Sequence, residues 1–264
     1  KLCLAGGVAL NCSMNGRLLH EGPFDEIFVQ PAAGDDGIAI GAALQKHYEL
    51  TRAPREFRMT HAYWGPEYSN DAIEQFLDLA KLPYESPTNV IERTADLLAE
   101  GKIVGWYQGR MEFGPRALGS RSILADPTRA DMKDLINKYV KHREEFRPFA
   151  PSCLAERASD YFEGCTTSPF MLFVYPVKPE MRDKVPAIAH IDGTARVQTV
   201  TREANPKYYA LIEAFERRGG VPMILNTSFN VMGEPIVNTP ADATRCFYST
   251  GMDALVMGDY VLTK

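Results

Sequence analysis

The sequence predicts a mixed α/β fold, and three observations carry that expectation. Strand, glycine turn and helix follow one another twice near the start, first as Lys1–Ala5, Gly6-Gly7 and Leu10–Leu19. The second round is a strand at Glu26–Gln30, a turn at Pro31–Gly34 and a helix near Asp36–Glu49; this alternation is α/β syntax. Composition agrees: of 264 residues, 45% are apolar and 24% charged, which is ordinary for a globular chain and excludes a disordered tail or a collagen-like fibre.

The first helix is stopped by Gly22-Pro23, and Thr51–Pro66 loses the α/β rhythm, so a connector is expected there. A new unit starts at Val90, where Val90, Ile91, Thr94, Leu97 and Leu98 mark one helical face. Gly101 ends that helix before an apolar strand, Ile103–Tyr107. Further elements are expected as a helix near Asp131–Tyr139, a strand at Phe170–Val177 and a short strand at Arg196–Val200. A helix at Pro206–Arg218 is closed by Gly219-Gly220 and followed by a strand at Met223–Leu225. Thr239-Pro240 opens a last helix as cap plus first-turn proline. The chain then ends in a hairpin, Ala254–Met257 and Tyr260–Leu262, turning at Gly258-Asp259.

The formal charge of −5 argues against nucleic-acid or anionic-membrane binding through net charge. No apolar run approaches the roughly 18–20 residues of a membrane-spanning helix; the longest candidate, Phe170–Val177, is broken by Tyr175 and Pro176. Cys3, Cys12, Cys153, Cys165 and Cys246 are scattered, with no ligand-like spacing, and read as free thiols of a reducing cytoplasm.

Five strings carry candidate chemistry. Gly6-Gly7-Val8-Ala9-Leu10-Asn11 joins a strand to a helix, where glycines let backbone N–H groups approach an anion; a plain tight turn is the competing reading. Gly34-Asp35-Asp36-Gly37 opens the next helix, as a cap or as a hard-oxygen site for a divalent metal. In the segment Gln108–Ser122, Arg110, Arg116 and Arg121 lie among Gly109, Gly114, Pro115 and Gly119. Such punctuation fixes a loop on which guanidinium groups can converge, and arginine binds phosphate bidentately. A basic run follows with Lys141, Arg143 and Arg147; Arg147 stands between Phe146 and Pro148-Phe149, an apolar setting that calls for an anion partner. His190-Ile191-Asp192-Gly193-Thr194-Ala195-Arg196 packs polar groups around one glycine turn. Asn226-Thr227-Ser228-Phe229-Asn230 follows an apolar strand, where small polar side chains line ligand crevices or simply form a turn.

Together these strings closely resemble the NodU/CmcH family of O-carbamoyltransferases. The match runs through Gly6–Asn11, Gln30–Ala43, Glu112–Ser122, Glu144–Ser152, His190–Thr199 and Asn226–Asn230, from end to end of the chain. The resemblance implies a YrdC-like twisted open sheet flanked by helices over residues 88–264. Before it, residues 1–57 would be the C-terminal part of an actin-like (ASKHA) carbamoyl-transferring domain, and 58–87 a connector. It implies that carbamoyl phosphate and ATP are converted to carbamoyl-adenylate, whose carbamoyl group passes to a small-molecule or oligosaccharide hydroxyl acceptor. By motif match Arg116, Lys141 and Arg147 are the catalytic phosphate ligands. Gly6, Gly7, Asn11, Arg110, Arg121, His190, Asp192, Arg196, Asn226 and Ser228 are the substrate and nucleotide contacts, and Asp35 is a carboxylate to a divalent metal (Fe, Mg or Mn). A homodimer is compatible with this reading, and no nucleic-acid or membrane partner is expected.

The departure is in the histidines. The family is expected to carry a His-rich metal motif upstream of the first glycine string, and His20, His47, His61, His142 and His190 form no such pair. With no initiator Met and no signal-peptide pattern, the chain reads as the C-terminal portion of a larger enzyme, lacking full transfer activity by itself. The alternative is a YrdC-like nucleotide- or RNA-binding module without transfer chemistry. Hydrogenase-maturation carbamoyltransferases are a third reading, against which stands the lack of zinc-finger cysteines.

Overall fold

The computed structural model describes all 264 residues, Lys1–Lys264. The first segment holds β1 (Leu2–Leu4) and β2 (Ile27–Val29), paired in parallel with Leu2 opposite Ile27. Between them lies α1 (Cys12–Glu21), and after them α2 (Ile38–Thr51), which buries none of its residues. Asn11 caps α1, its Oδ1 accepting the N–H of Met14 at 3.0 Å.

Within the stretch read as connector the chain forms α3 (Asn70–Leu79), capped by Ser69 and anchored by the buried Ile73 and Leu77. Next come α4 (Val90–Ala99), β3 (Val104–Tyr107) and β4 (Arg121–Ala125). They are followed by α5 (Met132–Ile136), β5 (Ala150–Leu154), α6 (Ala158–Tyr161), β6 (Val174–Pro176), β7 (Thr194–Arg196) and β8 (Gln198–Val200). The chain closes with α7 (Pro206–Arg217), β9 (Met223–Ser228), α8 (Pro240–Tyr248), β10 (Ala254–Met257) and β11 (Tyr260–Thr263). Asn89, Asn205 and Thr239 cap α4, α7 and α8 through their side-chain oxygens, Thr239 in a reciprocal pair with Asp242.

Seven strands form one mixed sheet in the order β11-β10-β3-β4-β9-β5-β8. β10 runs parallel to β3 and β8 to β5, while along β3, β4, β9 and β5 each strand is antiparallel to the next. Every residue of β3, β4, β5 and β10 is buried, so both faces of the sheet are covered. Helix pairs α4–α7 and α3–α8 supply cover, with Trp106, Phe215, Phe229 and Phe247 in the core between elements.

Two strands differ from the sequence expectation. β4 opens on a charged residue and β5 carries Pro151 inside a sheet, where proline normally argues against a central strand. The strand expected over 170–177 is confined to β6, because Phe170, Met171 and Leu172 instead join a second apolar cluster with Ala9, Val29, Ala33, Leu118 and Ala150. That cluster joins Ala9, Val29 and Ala33 of the first segment to Leu118, Ala150 and the 170–172 stretch, and so packs the first segment onto the rest of the chain. α1 lies against β6 so closely that a Cβ on Gly16 would come 2.7 Å from a Val174 methyl. Asn15 reinforces the contact, its Nδ2 donating to Ala9 O at 2.7 Å and Leu172 O at 2.9 Å.

Candidate active site

A cleft of about 230 Å³ opens where this junction meets the ends of β5, β7 and β9. Its twelve lining residues include Arg116, Arg143, Arg147, Arg196, Phe149, Met171, Asn226, Thr227 and Ser228, and no carboxylate. Only Arg147 has a carboxylate within salt-bridge range, Glu144 at 3.8 Å. The Nε atoms of Arg116 and Arg196 are buried without any partner. Unpaired cations at such close quarters are costly unless an anion completes the site.

The local sequence explains how Arg116 gets there. Glu112 is buried at the foot of its loop, and its carboxylate accepts the N–H groups of Leu118 at 2.6 Å, Ser120 at 2.8 Å and Arg121 at 3.2 Å. Gln198 Nε2 donates to Leu118 O at 2.8 Å and Asn226 Nδ2 to Ala117 O at 3.3 Å, so the sheet grips the same loop from the carbonyl side. Gly119 makes the turn at φ +104, where a Cβ would stand 2.1 Å from the Tyr208 ring. Arg116 then lies over the first segment, donating to Leu10 O at 3.1 Å. Cys12, at the start of α1, lies near Arg196.

Burial and mutual repulsion act on these guanidinium groups. Burial, with Arg196 nearby, pushes Arg116 down to about 10; burial, with Arg147 and Arg196 nearby, does the same to Arg143. Both remain cations at neutral pH, held in a setting that favours a bound anion.

Lys141 is buried at the end of a π-helical turn, Asn137–Lys141, that continues α5. Its Nζ donates to Ser228 Oγ at 3.2 Å, Asn230 O at 3.0 Å, Asn230 Oδ1 at 2.8 Å and the carbonyl of Ser228. Burial, then Arg143, pushes the ammonium down to about 7, while four surrounding oxygens are what the ammonium form needs. Lys141 therefore ties the Asn226–Asn230 string to the Arg143 loop.

The structure thus brings Arg116, Arg147, Arg196, Asn226 and Ser228 to one cleft, with Lys141 directly beneath. It does not bring Arg110, which is exposed, or Arg121. Arg121 is fully buried, stacked 3.7 Å over Tyr107, with Nη1 on Gln108 O at 2.8 Å and Nη2 on Gly109 O at 3.2 Å. It is the first residue of β4, so strand alternation turns it inward beside Glu112. The apolar setting expected for Arg147 is not found either: Phe146 is 68% exposed and Arg147 reaches the cleft from its rim.

His190 and Asp192 lie outside the cleft lining and shape the turn into β7, with Asp192 Oδ1 accepting from Thr194 Oγ1 at 2.7 Å and His190 Nδ1 3.3 Å from the same hydroxyl. Gly6 and Gly7 are exposed, and Asn11 spends its side chain on the cap of α1. Asp35 opens a single exposed 3-10 turn with Asp36. No group of three His, Cys, Asp or Glu side chains that could hold a metal ion is found in the chain. The sequence singles out neither Arg143, which lines the cleft, nor Asn230, which holds Lys141, as a contact.

Fold and cleft together define an α/β protein with an arginine-rich cleft that no carboxylate lines. A family model described as Carbamoyltransferase C-terminus matches residues 95–264, and one described as Carbamoyltransferase N-terminus matches residues 1–44. The chain belongs to the carbamoyltransferase family. It is 51% identical to nodulation protein NolO of Bradyrhizobium diazoefficiens, over all of this chain and 49% of that protein. It is 52% identical to nodulation protein NolNO of Sinorhizobium fredii, over all of this chain and 40% of that one. The chain spans about half the length of the curated relatives it matches. Among solved structures, full-length HypF in its phosphate- and nucleotide-bound form is similar at 21% identity and a TM-score of 0.46, covering 66% of this chain and 25% of that one. Pyrococcus abyssi Sua5 with L-threonine is similar at 18% identity and 0.48, over 64% of this chain and 46% of that one. No helix is long and apolar enough to cross a membrane.

Proposed function

We propose that the cleft binds carbamoyl phosphate and the phosphates of ATP and makes carbamoyl-adenylate, in a YrdC-like domain working in the cytoplasm. The observation that carries this reading is the set of four arginines around one cleft without a carboxylate among its lining residues. Carbamoyl phosphate, ATP and pyrophosphate crowd negative charge into one place, and fixed guanidinium groups offset that repulsion as it builds up.

The chemistry balances in three steps. Water attacks the carbonyl carbon of carbamoyl phosphate, and inorganic phosphate leaves, giving carbamate. A carbamate oxygen attacks the α-phosphorus of ATP, and the bond from that phosphorus to the bridging oxygen of the β-phosphate breaks, releasing pyrophosphate. An acceptor hydroxyl then attacks the carbamoyl carbon, gives up its proton, and AMP leaves. Arg116, Arg143, Arg147 and Arg196 hold the phosphates, while Thr227 and Ser228 offer neutral hydrogen bonds to the carbamoyl end. Carbamate is short-lived in water, so a site that excludes water would protect it.

The test is pyrophosphate release from ATP with and without carbamoyl phosphate, in wild type and Arg116→Ala. Release that depends on carbamoyl phosphate and is lost in the variant supports the reading. Release indifferent to carbamoyl phosphate sinks it.

A further inference from the structure

Two of the four cleft arginines ride on one loop, Arg143–Arg147, whose residues are otherwise largely exposed. Such a loop has no packed core to fix it, yet two guanidinium groups must reach one small cleft from it. The fixing comes from Asn137, the first residue of the π turn and fully buried.

Both polar atoms of the Asn137 side chain are spent on that loop. Nδ2 donates to Glu145 O at 3.2 Å and to Arg147 O at 3.0 Å. Oδ1 accepts from Arg143 Nε at 2.7 Å. The backbone carbonyl accepts the N–H of Arg143 at 3.0 Å and that of His142. The amide orientation is settled by its partners, since two carbonyls can only accept and Nε can only donate. The π turn matters as well: its extra residue and the left-handed His142, φ 49, swing the chain back so that Asn137 faces the loop it precedes.

We infer that Asn137 is a positioning residue for the anion site, setting Arg143 by its Oδ1 and the Arg147 backbone by its Nδ2. It touches no substrate. By occupying Nε, it leaves the terminal nitrogens of Arg143 as the donors available to a ligand, with the guanidinium also 4.8 Å over the Phe149 ring. The inference rests on the proposed function only in taking the cleft to bind phosphate anions.

The probe is inorganic pyrophosphate, titrated calorimetrically into wild type, Asn137→Ala, Arg143→Ala and the double variant of the full chain. A misplaced guanidinium costs on the order of 10- to 100-fold in such a site, so Asn137→Ala is expected to weaken pyrophosphate by that much. Because the loop can hydrate when released, its unliganded melting point should stay close to wild type; Asn137→Ser serves if the alanine variant does not fold. The decisive readout is the cycle: if part of the effect of Asn137 runs through Arg143, the double variant loses clearly less than the product of the two single losses. Losses that multiply, or unchanged affinity in Asn137→Ala, overturn the assignment while leaving the cleft intact. Failure of wild type to bind pyrophosphate overturns the anion-site reading itself, and this inference with it.

Discussion

Replacing Arg196 by methionine should make the empty protein more stable and the liganded one less so. Arg196 has no carboxylate within 4.0 Å among the ion pairs of the chain, its Nε is buried without a partner, and Arg116 lies beside it. Methionine keeps the length and loses the charge. Relieving one unpaired buried group is worth about 1–3 kcal/mol, and each kcal/mol moves the melting point by about 2–4 °C for a chain of this size. Ligand binding moves the other way. Pyrophosphate at a hundred times its dissociation constant stabilises wild type by about 2.7 kcal/mol. Losing one charge-assisted contact, about 1.5–3 kcal/mol, weakens binding about 10- to 150-fold. The same pyrophosphate concentration then stabilises Arg196→Met by only about 0.3–1.4 kcal/mol. Thermal melts of both proteins, with and without pyrophosphate, read this crossover directly. An Arg196→Met protein that melts lower without ligand and keeps the wild-type pyrophosphate shift would refute the reasoning.

Arg121→Met should behave in the opposite way, destabilising the fold by about 1–3 kcal/mol in urea titrations, because the Gln108 and Gly109 carbonyls lose a buried donor and Tyr107 its stacked guanidinium, with pyrophosphate affinity of the folded protein unchanged. Gly119→Ala should cost about 2–4 kcal/mol, since φ +104 and the Tyr208 ring both oppose a Cβ; a melt equal to wild type contradicts the loop geometry. Asp242→Asn removes half of the cap on α8 and should cost about 0.5–2 kcal/mol at neutral pH. The Thr239 amide holds the Asp242 carboxyl below its ordinary 3.8, so the folded state binds fewer protons than the unfolded one. That stabilisation is complete above pH 3.8 and is lost as pH falls through the folded value; the difference between wild type and variant should therefore shrink in acid.

The α/β alternation, the cap at Thr239 and the terminal hairpin were legible in the sequence because each rests on local chemistry. β5 was not, because Pro151 speaks locally against a strand that long-range pairing with β8 and β9 nevertheless builds. α3 was hidden by flanking prolines and charges, although Ile73, Phe76 and Leu77 carry its apolar face. In the site, the strings pointed to Arg116, Arg147 and Arg196, which line the cleft, but equally to Arg110 and Arg121, which do not. Which of Arg110, Arg116 and Arg121 meets the cleft is decided by Glu112 gathering three amides and by β4 starting at Arg121. Arg143 owes its place to a π turn and a left-handed histidine, neither of which leaves a mark in the spacing.

The central claim is that the cationic cleft joins carbamoyl phosphate to ATP. Pyrophosphate release from ATP by this chain, followed with and without carbamoyl phosphate, tests it most directly. The account predicts release only when both substrates are present, and its loss in Arg116→Ala. Equal release without carbamoyl phosphate, or full activity in Arg116→Ala, would contradict it.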